Sequence, residues 1–405
     1  MKRMIAVIVA TVLLLAGCQN NIPGSTTDPA SVDDSIQFTP EKNAQNKYIM
    51  SGINFQEAGG FFLGTSLLGD YIQYYDKASG ISGVLCADPS CAHDSKSCGA
   101  NIGSKMSLSY YDGKLYWVGL EGAQLQKYYL WQSDLSGMNR KKIMEISWDE
   151  IMMPYQPQRY VIHQGKLYIM GSASVVDGTQ TGKRKSLLSI PLTGDEGFTT
   201  VYDKVLPNAI DDERYIFVDG FIYVYMFSFN EESSTKNLTV TKVDIAKNTS
   251  EVVYQENDVT DILGNIWVTE DHELYLSGST DEKAYLWKIE NGSKKEITFW
   301  PVDEVNVPDV MDGIVMFMTR DENNIRYVDI RNFSGETIYK GRLFPSAISG
   351  LKKDPNTYSF AVVGGDTEKI IINLIEFADK TMVNYTILID LKDNMKATIL
   401  WSSEE

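Results

Sequence analysis

The chain is poor in the residues that carry most metal and proton-transfer chemistry. Among its 405 residues are 4 cysteines and 3 histidines. Lysine and arginine number 37 against 54 acids, so the net charge is −17. With no basic run, this balance excludes nucleic acid or anionic lipid held by a global positive field. No stretch beyond the N-terminus offers 18 consecutive apolar residues, so no transmembrane helix is expected. Gly-x-Ser-x-Gly, Gly-x-Gly-x-x-Gly and phosphate-cradling loops are missing. Amphipathic helical periodicity is nearly absent as well. What is present is 43% hydrophobic content. That suffices for a sizeable core and is too apolar for a mostly disordered chain.

Lys2 and Arg3 precede an apolar run from Met4 to Leu15, too short to span a bilayer permanently. The string Leu15-Ala16-Gly17-Cys18 follows. It resembles the lipobox of bacterial lipoproteins; the alternative is an ordinary secretory signal with a chance cysteine. The resemblance implies that residues 1–17 are a signal peptide and that Cys18 carries the lipid. The protein is then extracytoplasmic and anchored to the cell membrane, because two or more acyl chains hold firmly. Residues 18–47 are polar, with Pro23, Gly24 and Pro29 among them. They read as a flexible tether with a reach on the order of 30 Å.

The remainder, 48–402, repeats itself. Asp112-Gly113-Lys114-Leu115-Tyr116 opens a unit that continues through Leu130-Trp131, Asp134 and Ile143-Met144. Gln164-Gly165-Lys166-Leu167-Tyr168 opens another, as do Asp219-Gly220, Asp271-His272 and Asp312-Gly313. Weaker copies begin at Gly60 and near residue 357. The spacing is about 50 residues, the size of one four-stranded propeller blade. Asp-Gly supplies the positive φ of tight hairpins, and the strands are rich in Tyr, Val, Ile, Phe and Trp. Seven copies predict an all-β, seven-bladed β-propeller. A six-bladed ring with one elaborated copy is the competitor.

The Gly-Lys-Leu-Tyr starts at 113–116 and 165–168 resemble a family of bacterial, clostridia-like envelope lipoproteins. Their β-propeller domain of unknown function is similar to the propeller of the low-density lipoprotein receptor-related proteins. The resemblance covers roughly 48–402 and implies a fold and a location, with no substrate.

One segment concentrates chemistry. Cys86, Cys91, His93 and Cys98 follow the pattern Cys-x4-Cys-x-His-x4-Cys in an insertion at 86–98. Three thiolates and one imidazole make a closed tetrahedral set that suits structural zinc. Asp88-Pro89 can turn the chain to bring Cys86 back, and an extended Cys91–His93 places both on one face. The rival is one disulfide with a thiol left over. His163 and His272 fall at blade turns and read as solvated turn residues. Asp211-Asp212-Glu213 and Asp258 with Asp261 read as exposed loop acids, without calcium-loop spacing. The tyrosines read as core.

Two functions follow. The first is a binding or scaffold lipoprotein, not an enzyme, with a propeller face for an unidentified protein or glycan of the envelope and no nucleic acid. No catalytic residue is assigned, since propeller peptidases carry a separate hydrolase domain. The alternative is a propeller hydrolase or lyase acting on a glycan or lactone, its site built at the channel from different blades. The discriminator is whether ionisable side chains converge at one channel mouth.

Overall fold

The computed structural model describes residues 54–58, 60–65, 71–93, 98–102, 108–121, 127–146, 160–177, 180–194, 197–206, 210–230, 235–302, 306–378 and 381–403. The signal segment 1–17, Cys18 and the tether 18–47 lie outside them.

The described residues form seven antiparallel sheets of four strands, each in strict sequence order. They span 54–84, 108–146, 160–206, 210–256, 262–301, 309–342 and 359–402, numbered here as blades 1 to 7. The first strand of each blade is the innermost. First strands of blades 1 to 3, and of blades 4 to 7, neighbour one another in turn. The weaker first and last copies are full blades, so the ring is seven-bladed rather than six-bladed.

The hairpins follow from their turn residues. Asp112 and Gly113 have φ of 45° and 71°, and Gln164 and Gly165 have 46° and 74°. Two successive positive φ values make the turn whose twist matches its flanking strands. The seventh blade departs from the expected spacing. Its inner hairpin turns between Gly365 and Lys369, not near 357, where a 3-10 turn at Pro355–Thr357 precedes the blade. The turn there is Asp366-Thr367-Glu368, with Asp366 Oδ1 accepting from the backbone N of Glu368 and Lys369. A side chain closes that turn, so no Asp-Gly pair marks it.

The core lies between blades. Each of seven apolar clusters is built from two neighbouring blades, so no blade buries its own faces. The tyrosines expected in the core are there: Tyr116, Tyr168, Tyr225 and Tyr385 are buried. Among the described residues no strand is shared between blades 7 and 1; side chains join them. Trp401 and Leu400 pack on Phe61 and Leu63. Trp401 Nε1 donates to the Tyr74 carbonyl at 3.0 Å, and Lys369 pairs with Glu57 at 3.1 Å.

His163 corrects the reading of a solvated turn residue: it is fully buried. It ends the inner strand Tyr160–His163 and faces the next blade, its ring 5.4 Å from that of Phe217. Its Nε2 donates to the Asp219 carbonyl at 2.6 Å. His272 is half-buried against Phe221, with Nε2 3.6 Å from the Asp219 carboxylate. Both histidines fasten blades.

Candidate metal centre and inner-strand polar set

The insertion after blade 1 brings Cys86, Cys91, His93 and Cys98 together. Their ligand atoms all lie within 4.8 Å of one another. Cys98 is buried, and the other three are half-buried. All three cysteines are free thiols. With metal–ligand lengths of about 2.3 Å to sulfur and 2.0–2.1 Å to nitrogen, a tetrahedron has S···S edges of about 3.8 Å and S···N edges of about 3.6 Å. Cys98 Sγ stands 3.5 Å from His93 Nδ1. The group can therefore hold a metal ion after small contractions.

The loop is built by local hydrogen bonds. Asp88 Oδ1 accepts from Ser90 N at 2.8 Å and Ser90 Oγ at 2.7 Å, and Cys91 N donates to the Asp88 carbonyl at 3.1 Å. That turn returns Cys91 toward Cys86. The expected extended Cys91–His93 pair is not what forms. His93 has φ of 55°, which bends the chain and sends the imidazole toward Cys98. Burial opposes ionisation of Cys86. Hydrogen bonds to the Asp88 backbone and the Cys98 side chain outweigh it and bring that thiol below its usual range. Burial pushes Cys98 the other way, well above its usual range, and the neighbouring thiols add to the rise. Without a cation, one shared site does not favour several thiolates.

The centre sits on a junction. Tyr71 pairs with Asn101, and Ile72 N donates to the Ala100 carbonyl at 2.9 Å, tying the segment to blade 1. From blade 2, Arg140 Nη1 donates to the carbonyls of Cys98 at 3.2 Å and Gly99 at 3.1 Å. The Arg140 guanidinium lies 4.4 Å from the Trp131 ring centroid. Gly137, at φ 77°, lets that turn close on Leu85, because a Cβ would press on the Leu85 carbonyl. The segment that carries the four residues is thus tied to both blade 1 and blade 2.

A second polar set was not singled out in sequence. Arg214, Asn265 and Asp309 lie on the innermost strands of blades 4, 5 and 6: Ile210–Val218, Ile262–Val268 and Asp309–Met311. Blade 5 is bulged there, its register jumping between Leu263 and Ile266. Asn265 N donates to Ser277 Oγ at 2.9 Å instead of to a ladder carbonyl. Gly264 is required, since a Cβ would overlap Val307 and Ser277. The bulge turns buried Asn265 toward blade 6, where its Nδ2 lies 3.4 Å from Asp309 Oδ1. Protein surrounds Asp309 on most sides although it keeps some contact with solvent. Burial pushes its carboxyl up to about 7, against the pull of the Arg214 charge. Only alignment on blade turns could have found this set: each residue stands a few positions before the inner turn of its blade.

The reading of exposed loop acids is corrected at Asp211-Asp212-Glu213, which lie in the inner strand Ile210–Val218 of blade 4. Glu213 pairs with Lys185 of blade 3 at 2.8 Å, and Asp261 with Lys294 at 3.1 Å. Asp258 is exposed, and the side chains of Asp211 and Asp212 lie outside those described.

No family profile matches the chain, and no curated protein matches it in sequence. Solved structures match in shape. One is a Mycobacterium tuberculosis puromycin-hydrolysing peptidase, 8% identical, with TM-score 0.51, covering 91% of this chain and 55% of that one. Another is a puromycin hydrolase, 10% identical, with TM-score 0.51, covering 89% and 55%. The chain spans about half the length of these structures. At such identity the likeness shows the fold alone. It still corrects one expectation, that the chain is not an enzyme. The same propeller shape is part of hydrolytic enzymes, so the fold and the missing motifs do not exclude catalysis.

Proposed function

We propose that the chain is an extracytoplasmic, lipid-anchored β-propeller that takes an envelope ligand, a glycan or a protein, at its axial face. The observation that supports this reading is the polar set of Arg214, Asn265 and Asp309 on three consecutive inner strands. Cys86, Cys91, His93 and Cys98 hold one zinc ion in this reading, and four protein ligands leave no open position, so the zinc is structural. Cys18 carries the lipid, as its lipobox resemblance implies. Two measurements test the proposal. Cys18→Ala should release the protein from membranes or leave the precursor uncleaved, and normal processing with normal fractionation would refute the anchor. Protein purified without chelator should carry about one zinc per chain, with three thiols titratable after denaturation in chelator. No metal with one titratable thiol would refute the metal centre.

A second form of the reading has the propeller act on its ligand as a hydrolase or lyase of a glycan or lactone. Asp309 favours it, because a carboxyl near 7 holds and releases a proton at neutral pH. A steady-state assay of Asp309→Asn against glycosides and lactones decides this form. Turnover by the wild type, lost in the variant, supports it. No turnover, or turnover unchanged in the variant, removes it.

A further inference from the structure

We infer that Asp309 and Asn265, under the charge of Arg214, form a subsite for a pair of neighbouring hydroxyl groups on a neutral sugar. The inference rests on the ligand reading above and narrows it to one chemistry.

The three residues come from blades 6, 5 and 4, so no single blade contains the subsite. Its floor is built rather than accidental. The Gly264–Asn265 bulge replaces a ladder hydrogen bond with one to Ser277 Oγ, which also donates back to the Asn265 carbonyl at 3.4 Å. Inner-strand bulges of this kind re-aim side chains and are over-represented beside active sites. Blade 4 carries another, between Ile210 and Asp212, on the strand that presents Arg214. The bulge does not bring Asn265 into a tight bond with Asp309. Their 3.4 Å contact is at the long limit.

Charge narrows what can bind. A cation offered to Asp309 meets the field of Arg214, which reaches that carboxyl. An anion offered to Arg214 meets Asp309 whenever Asp309 is ionised. A neutral ligand meets neither penalty. A hydroxyl is both donor and acceptor. Two adjacent hydroxyls can donate to the carboxyl and accept from the amide beside it. Sugars present such pairs at fixed spacing and without charge.

The test is calorimetric titration at about pH 8, where Asp309 is ionised, with methyl glucoside, methyl mannoside and methyl galactoside. Glucosamine and glucuronate serve as charged counterparts on a similar ring. At least one neutral glycoside should bind more tightly than either charged sugar. Asn265→Ala and Asp309→Ala should each weaken it at least about tenfold, with unchanged circular dichroism showing that they fold. Tighter binding of glucosamine or glucuronate overturns the ligand class. Binding undiminished in both variants overturns the site. Retention on amylose or cellulose columns separates this inference from the broader reading. Equal retention of wild type and variants keeps a glycan partner and removes this subsite. No retention, with no binding in titration, removes this subsite and leaves the broader reading with a protein ligand.

Discussion

Replacing Arg140 with methionine should loosen the metal centre and the junction of blades 1 and 2 together. Arg140 leaves the outer turn of blade 2, and its Nη1 donates to the Cys98 and Gly99 carbonyls at 3.2 and 3.1 Å. Its guanidinium also lies over Trp131 at 4.4 Å and toward Trp117 at 5.4 Å. A hydrogen bond from a charged donor contributes about 1.5–3 kcal/mol, and a partly exposed cation–π contact about 0.5–1 kcal/mol. These terms share one side chain and do not add fully. Methionine keeps apolar contact with the indoles, so the expected loss is about 2–4 kcal/mol. In a domain of this size that lowers the melting temperature by roughly 5 °C. Calorimetry should be run on zinc-loaded protein and again in chelator. If the proposed metal fixes the loop that presents both carbonyls, the penalty should fall below about 1 kcal/mol once metal is removed. Arg140→Lys keeps the charge but not the planar stacking and should fall between. An equal loss with and without metal would refute the coupling and leave Arg140 as packing on two tryptophans.

Two further outcomes follow from the ring. The Asp309 carboxyl is raised to about 7 by burial, from an unfolded value near 3.9. The protonated form therefore stabilises the fold below about pH 4, and that contribution is lost as pH rises through about 7. Asp309→Asn should gain on the wild type between pH 4 and pH 8 by about 2–4 kcal/mol in urea melts; a pH-independent difference would contradict the raised carboxyl. Trp401→Ala removes a buried side chain from the blade 7–blade 1 seam and the hydrogen bond to the Tyr74 carbonyl. It should cost about 3–5 kcal/mol in the same melts, and Trp401→Phe distinctly less. A loss in Trp401→Ala below about 1 kcal/mol would show that the ring does not depend on that seam.

What could be read in the sequence is what neighbours along the chain decide. Asp112-Gly113 and Gln164-Gly165 fix their hairpins locally, and their recurrence fixed the number of blades. The cysteine–histidine group was legible for the same reason: its four ligands fall within one short segment. The failures share the opposite property. His163 looked like a turn residue because its burial is supplied by Phe217 of another blade. The seventh turn was misplaced because Asp366 closes it through its side chain. Asn265 is aimed by Ser277 across a hairpin and meets Asp309 from the next blade. The inner strands of blades 5 and 6 each show one ordinary polar residue and that of blade 4 shows four charges in a row, and a site appears only when the three blades are set side by side. In a propeller, packing and ligand chemistry both lie between blades. Local patterns therefore count the blades, while a function at the axis depends on residues that share a level in the ring and not a neighbourhood in the chain.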